Sequence, residues 1–274
     1  MRALRTLTVF LLLTLTLAIP ASAFGKRLII DGSTSMLPLV QKLATAYHKA
    51  YPSVPAPKVG GGQTSIGIND AKAGRVDIGD ASRDPIEGVD PHGLIFTKVA
   101  RDGVCVITNT KNPVASLSPE TVAGIFTGRI RDWSGVPGSA ISGSIDLFDR
   151  DGASGTQDAF QNIFLGENLK ISPTATPESS EGLEVSAVGS DKQAIGFVSF
   201  AATINGGVHT VSYQGIPCTL RNAKSGQYGG VRNFWFVTKK NGISSAAVKF
   251  INWVTKPGNK TARSIISSEW IAIH

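Results

Sequence analysis

Histidine, cysteine and methionine are scarce in this chain, with four, two and two among 274 residues. His48, His92, His209 and His274 form no cluster at ligand spacing, and Cys105 and Cys218 stand far apart, so a metal centre has no support. No G-x-S-x-G elbow occurs and no motif supplies a histidine base, which disfavours a secreted hydrolase acting through Ser154 or Ser35. The glycine loop at Gly60-Gly61-Gly62 fits neither nucleotide fingerprint, G-x-x-x-x-G-K-[ST] or G-x-G-x-x-G. Lysine and arginine are dispersed, and no basic run alternates with aromatics, so nucleic acid is not an expected partner. Repeats and low-complexity linkers are also lacking.

What is present begins with an export address. Arg2 and Arg5 form a basic n-region, Leu7 to Ile19 a Thr-interrupted apolar stretch, and Ala21-Ser22-Ala23 a cleavage site. A signal peptide over 1–23 and a mature start near Phe24 are expected; the apolar run is too short for a confident span. The product is expected in the periplasm or outside the cell. Removing Arg2 and Arg5 lowers the formal charge from +7 to +5, because residues 1–23 hold no acid. A modest positive excess suits an anion without requiring one. Two buried thiols are the first expectation, since Cys105 lies in the apolar run Val104-Cys105-Val106-Ile107; pairing in that oxidising compartment is the alternative.

The informative pattern is a strand, a polar turn and a helix, used several times. The strand-like run Ile145 to Asp149 leads into Arg150-Asp151-Gly152-Ala153-Ser154-Gly155-Thr156, followed by Phe160, Ile163 and Phe164 on one helical face. Such a turn aims backbone N–H groups and hydroxyls outward, and with a nearby guanidinium it makes an anion cradle. A lone Ser154 would be read as a helix cap. The same chemistry recurs at Asp31-Gly32-Ser33-Thr34-Ser35 before Leu37, Val40, Leu43 and Tyr47. It recurs at Gly60-Gly61-Gly62-Gln63-Thr64-Ser65 before a helix over 66–72 ended by Gly74, and at Ala81-Ser82-Arg83 after Val76 to Asp80. Separate strands are expected at Ile95–Val99 and Val104–Asn109, with Arg101-Asp102-Gly103 between them. A helix from Ser180 is expected to stop at Gly189. Strands alternating with helices indicate an α/β fold with ligand turns at the strands' carboxyl ends.

These stretches, with Ile125-Phe126-Thr127-Gly128-Arg129-Ile130, Asp132-Trp133 and Gly189 before Ala194-Ile195-Gly196-Phe197-Val198, resemble the phosphate-binding protein of the bacterial phosphate ABC importer. That family belongs to the two-lobed periplasmic solute-binding superfamily. The resemblance implies an α/β, periplasmic-binding-protein-like fold, each lobe a mixed sheet flanked by helices and joined to the other by a hinge. It implies lobe 1 at 24–107 and 211–274, lobe 2 at 108–210, and a monomer. It also implies a non-enzymatic function without cofactor: binding inorganic phosphate and delivering it to a membrane permease.

Carried over position by position, Thr34 and Ser35 resemble the first-lobe helix-start donors. Thr64 resembles the glycine-loop hydroxyl, with Gln63 and Ser65 close enough to blur the register. Arg150, Ser154, Gly155 and Thr156 resemble the ligand arginine and the second-lobe helix start. Arg83, expected as a second phosphate-binding arginine, stands where some members place an aspartate that accepts the phosphate proton. Another carboxylate must then supply that acceptor, Asp102 first and Asp80 second; with neither, the rival reading is a binder of sulfate, molybdate or tungstate. A signalling or adhesion module on the same fold is a further reading.

Overall fold

The computed structural model describes residues 26–273, so the expected signal peptide at 1–23 and the start at Phe24 lie outside the described residues. The chain opens with β1 (Ile29–Gly32), α1 (Leu37–Ala50), β2 (Lys58–Val59), α2 (Thr64–Ala73), β3 (Ile78–Ala81) and β4 (Leu94–Asn109). It continues through β5 (Ser116–Leu117), α3 (Pro119–Phe126), β6 (Asp146–Arg150), α4 (Gly155–Phe160), β7 (Thr176–Glu178) and α5 (Glu181–Ser190). Next come β8 (Ala194–Ser199), α6 (Phe200–Thr203), β9 (Val208–Thr210), β10 (Ser212–Tyr213) and α7 (Leu220–Ser225). The chain closes with β11 (Val231–Lys239), α8 (Ser245–Thr255) and α9 (Lys260–Glu269). Local chemistry explains several boundaries. Ser118 accepts from the Thr121 N–H ahead of Pro119, and Gly74 ends α2 in the left-handed conformation.

The strand order is β2-β1-β3-β11-β4-β8-β6-β7, with β9 also on β4. β1, β2 and β3 are parallel, while β11 runs antiparallel to both β3 and β4. On the other side β4 pairs antiparallel with β8, which pairs parallel with β6. Arg101-Asp102-Gly103, expected to separate two strands, instead lies inside the 16-residue β4. The reason is the ladder: Leu94–Gly103 pair with β11 and Val104–Thr108 with β8, so the strand changes partners without a break. Gly189 likewise does not stop α5, which continues to Ser190. A Cβ there would come within 2.8 Å of the Gly207 carbonyl, so the glycine serves close packing.

The cores divide at that change of partners. Leu39, Val40, Leu43 and Tyr47 of α1 pack with Phe234, Phe236, Phe250 and Trp270, while Ile68 and Ala71 of α2 pack with Val237. The other core gathers Phe126, Phe160, Phe197 and Val198 with Val104 to Ile107, Val211, Cys218 and Tyr228. Val104–Ile107, on the first-lobe side of the expected boundary, thus pack into the second core. Phe160 stacks on Phe197 with centroids 4.0 Å apart and lies 4.5 Å from Phe126, which anchors α4 and aims its first residues. Among the described residues no helix is long and apolar enough to cross a membrane.

Cys105 and Cys218 form a disulfide, with Cα atoms 5.7 Å apart across 113 residues of sequence. It ties β4, just past its change of partners, to the segment returning toward β11. Restricting so long a loop in the unfolded chain stabilises the fold by about 2–4 kcal/mol. Replacing both cysteines by serine should lower urea-unfolding stability by about that amount; an unchanged midpoint would show that the crosslink contributes nothing.

Candidate functional site

Three segments far apart in sequence meet between the two cores. The first is the turn between β1 and α1. Gly32 has φ +152°, and a Cβ there would come within 2.2 Å of the Asp80 carbonyl, so the turn needs glycine. Ser33 and Ser35 are buried with hydroxyls 2.9 Å apart, and Thr34 is half-buried.

The glycine loop supplies the second segment. Asp31 holds it by accepting from the Gly62 N–H at 2.7 Å. Gln63 then takes a positive φ of +86°, strain at a non-glycine residue that its amide offsets by donating to Asp151 and to the Ser179 carbonyl. Thr64 is buried, with Oγ1 3.3 Å from Ser82 Oγ. Ser65 contributes its backbone N–H, which donates to the Ala153 carbonyl at 3.0 Å.

The third segment is the β6–α4 turn. Ser154 Oγ accepts from the Thr156 and Gln157 amides at 3.2 and 3.4 Å, the geometry of a helix cap rather than of an activated nucleophile. Gly155 presses against the glycine loop, where a Cβ would fall 2.5 Å from Thr64 Oγ1 and 2.7 Å from Ser82 Oγ.

Two buried arginines link these pieces in opposite directions. Arg150 donates from Nε to the Glu178 carbonyl (2.9 Å), from Nη1 to Glu181 Oε1 (3.1 Å) and from Nη2 to Thr34 Oγ1 (3.2 Å). Arg232, on β11, donates from Nε and Nη2 to Asp102 Oδ2 (3.1 and 2.9 Å) and from Nη1 to Thr156 Oγ1 (2.7 Å). Each guanidinium therefore ends on a hydroxyl of the segment opposite. A groove of about 800 Å³ opens beside Thr34, Gln41, Glu181 and Val185.

The remaining expected residues lie nearby in other roles. The Arg83 guanidinium is turned to Asp90, with two hydrogen bonds of 2.7 and 2.8 Å, and its Nε lies 2.8 Å from Asp158 Oδ2 on α4. Asp80 is fully buried beneath Gly32 with both carboxyl oxygens unbonded; burial, with Asp31 nearby, pushes its pKa well above the carboxylate range. Asp102 reaches the cleft through Arg232. Burial pushes its pKa up to about 6, and the Arg232 charge holds it from rising further.

Sequence reasoning missed Arg232, Glu181 and Asp158, and gave Ser82 no role of its own. Arg232 carried a usable signal: it shares a strand face with the buried Phe234 and Phe236 at i+2 and i+4, where a charge needs a partner. Glu181 did not, because an acid after the cap Ser180 is ordinary helix chemistry.

The chain is similar to several known proteins. The "Phosphate-binding protein PstS 2" of Streptococcus agalactiae is 37% identical over 117 residues, 43% of this chain and 40% of that protein. The "Phosphate-binding protein PstS" of Bacillus subtilis is 28% identical over 203 residues, 73% of this chain and 66% of that one. These matches thus span less than two thirds of either relative's length. A Clostridium perfringens protein solved with bound phosphate superposes with a TM-score of 0.82 at 28% identity, over 90% of this chain and 100% of that one. The model of the PBP superfamily domain matches residues 20–257. Two cores joined through β4, turns converging between them and a family match over most of its length make this chain a member of the PBP superfamily of two-lobed binding proteins.

Proposed function

We propose that this chain binds inorganic phosphate between its lobes and delivers it to the membrane permease of a phosphate ABC importer, as a periplasmic or released monomer and not as an enzyme. The observation that carries this reading is the reciprocal pair of buried arginines, Arg150 reaching Thr34 and Arg232 reaching Thr156, where the polar turns converge. The lobes are 24–107 with 211–274 and 108–210, and core packing favours moving the first crossing back to Gly103. Thr34, Ser35, Thr64, Ser65, Arg150, Ser154, Gly155 and Thr156 are the ligand-facing set. Arg83, engaged by Asp90 and Asp158, instead acts as a tie across the cleft.

Charge balance favours phosphate. Arg150 faces Glu181, Arg232 faces Asp102, and Arg83 faces two aspartates, so these three arginines carry no surplus of cation. A site so balanced repels a bare dianion such as sulfate more than an anion that brings its own hydrogen donor. Charge-assisted hydrogen bonds contribute about 1.5–3 kcal/mol each, so a handful, less the cost of closure, reaches the ~8 kcal/mol of micromolar binding. Closure then presents the permease with a distinct shape.

Isothermal titration should give phosphate binding about tenfold or more tighter than sulfate; equal or preferential sulfate binding removes this reading. Gly155→Ala inserts a Cβ against Thr64 and Ser82, and should weaken phosphate by about tenfold through incomplete closure. Unaltered affinity would show that the lobes need not approach so closely. Asp102 supplies a test by pH. Its folded pKa of about 6 lies above the ordinary 3.8, so its carboxyl stabilises the fold below pH 3.8, a contribution lost as pH rises through about 6. Carbon-detected NMR should show Asp102 titrating near 6, and Asp102→Asn should erase that step from the stability profile; a midpoint at 3.8 would mean Arg232 fully offsets burial.

A further inference from the structure

Thr156 Oγ1 has three polar neighbours: Arg232 Nη1 at 2.7 Å, Glu181 Oε1 at 2.6 Å and Ser35 Oγ at 3.4 Å. A hydroxyl owns one hydrogen and two lone pairs. A guanidinium can only donate, so Arg232 consumes one lone pair. An ionised carboxylate can only accept, so the hydrogen goes to Glu181. Neither neighbour is free to turn away. Arg232 is held by Asp102 through two further hydrogen bonds, and Glu181 by Arg150 and by the Ser199 amide at 2.7 Å. The two ionic groups are buried, with 2% and 7% side-chain exposure, so water does not compete for the hydroxyl. What remains on Thr156 is one lone pair facing Ser35 across the cleft, occupied only by a contact near the outer limit for a hydrogen bond.

We infer that the Thr156 hydroxyl, held as an acceptor by Arg232 and Glu181, takes the P–OH hydrogen of bound hydrogen phosphate and is the group that rejects fully deprotonated oxyanions. The inference rests on the phosphate reading and assigns its selectivity to a polarised hydroxyl rather than to a carboxylate at the ligand. Asp102, whose Oδ2 is taken by Arg232, acts two contacts away as a positioning residue. Sulfate would set a lone pair against the lone pair of Thr156. So would monofluorophosphate, which matches hydrogen phosphate in charge and shape and lacks the hydrogen.

Isothermal titration with inorganic phosphate and monofluorophosphate, both as dianions, separates the possibilities. Wild-type protein should bind phosphate about tenfold or more tighter, the value of one hydrogen bond to a charged partner. Thr156→Val should lose most of that preference by weakening phosphate alone, and Thr156→Ser should keep it. Thr156→Ala serves as a second hydroxyl-free variant should valine disturb folding. If wild type binds both anions equally, or if the valine and alanine variants weaken both alike, Thr156 donates rather than accepts and the inference is overturned while phosphate binding stands. Wild-type protein that takes up neither anion removes the phosphate reading and this inference with it.

Discussion

Everything between the lobes depends on burying cations that water can no longer solvate. Arg150 and Arg232 are each almost fully buried, and an unpaired charge in that environment would cost several kcal/mol. Each is therefore given a carboxylate from its own side and a hydroxyl from the other. The carboxylates let either lobe tolerate its arginine; the hydroxyls make the two lobes complementary. Both sets of contacts cross between the lobes, so the same atoms that would meet a ligand also hold the lobes in register.

This arrangement needs the lobes to be linked and yet separately packed. β4 does the linking. Its first part belongs to the ladder with β11 and its second to the ladder with β8, so one strand carries backbone hydrogen bonding through the junction. Asp102 sits on it opposite Arg232, at the last pairs before the change of partners. The disulfide between Cys105 and Cys218 then fastens the returning segment beside it. Packing rather than the disulfide aims the site: Phe160 locked on Phe197 and Phe126 sets the direction of α4, and so of Ser154, Gly155 and Thr156.

On the proposed function, selectivity would follow from how hydrogens are distributed as much as from charge. The arginines Arg83, Arg150 and Arg232 are offset by carboxylates, so backbone amides and hydroxyls are the groups that would meet an anion. Hydroxyls are ambivalent in water, where either role is open. Fixing one between a guanidinium and a carboxylate removes the choice, and a buried site with that choice removed can tell a protonated oxyanion from a bare one.

Much of this was legible in the amino-acid order. Periodicity and turn chemistry marked α1, α2 and α4 and the strand ahead of α4, because caps, glycines and apolar spacing act over a few residues. Thr34, Thr64, Arg150 and Ser154 stood out by being in polar turns ahead of helices. Properties depending on distant partners were not legible. Asp102 read as part of a break, because nothing local says that β4 exchanges β11 for β8 at that point. Arg83 read as ligand-facing, since Asp90 and Asp158, which claim it, lie 7 and 75 positions away and only the fold brings the second to it. Sequence by itself determined the elements and the kind of chemistry they carry. Which arginine meets which hydroxyl, and which hydrogen each hydroxyl has left to give, was decided only by tertiary structure, because burial and pairing are properties of groups brought together and not of the residues that bear them.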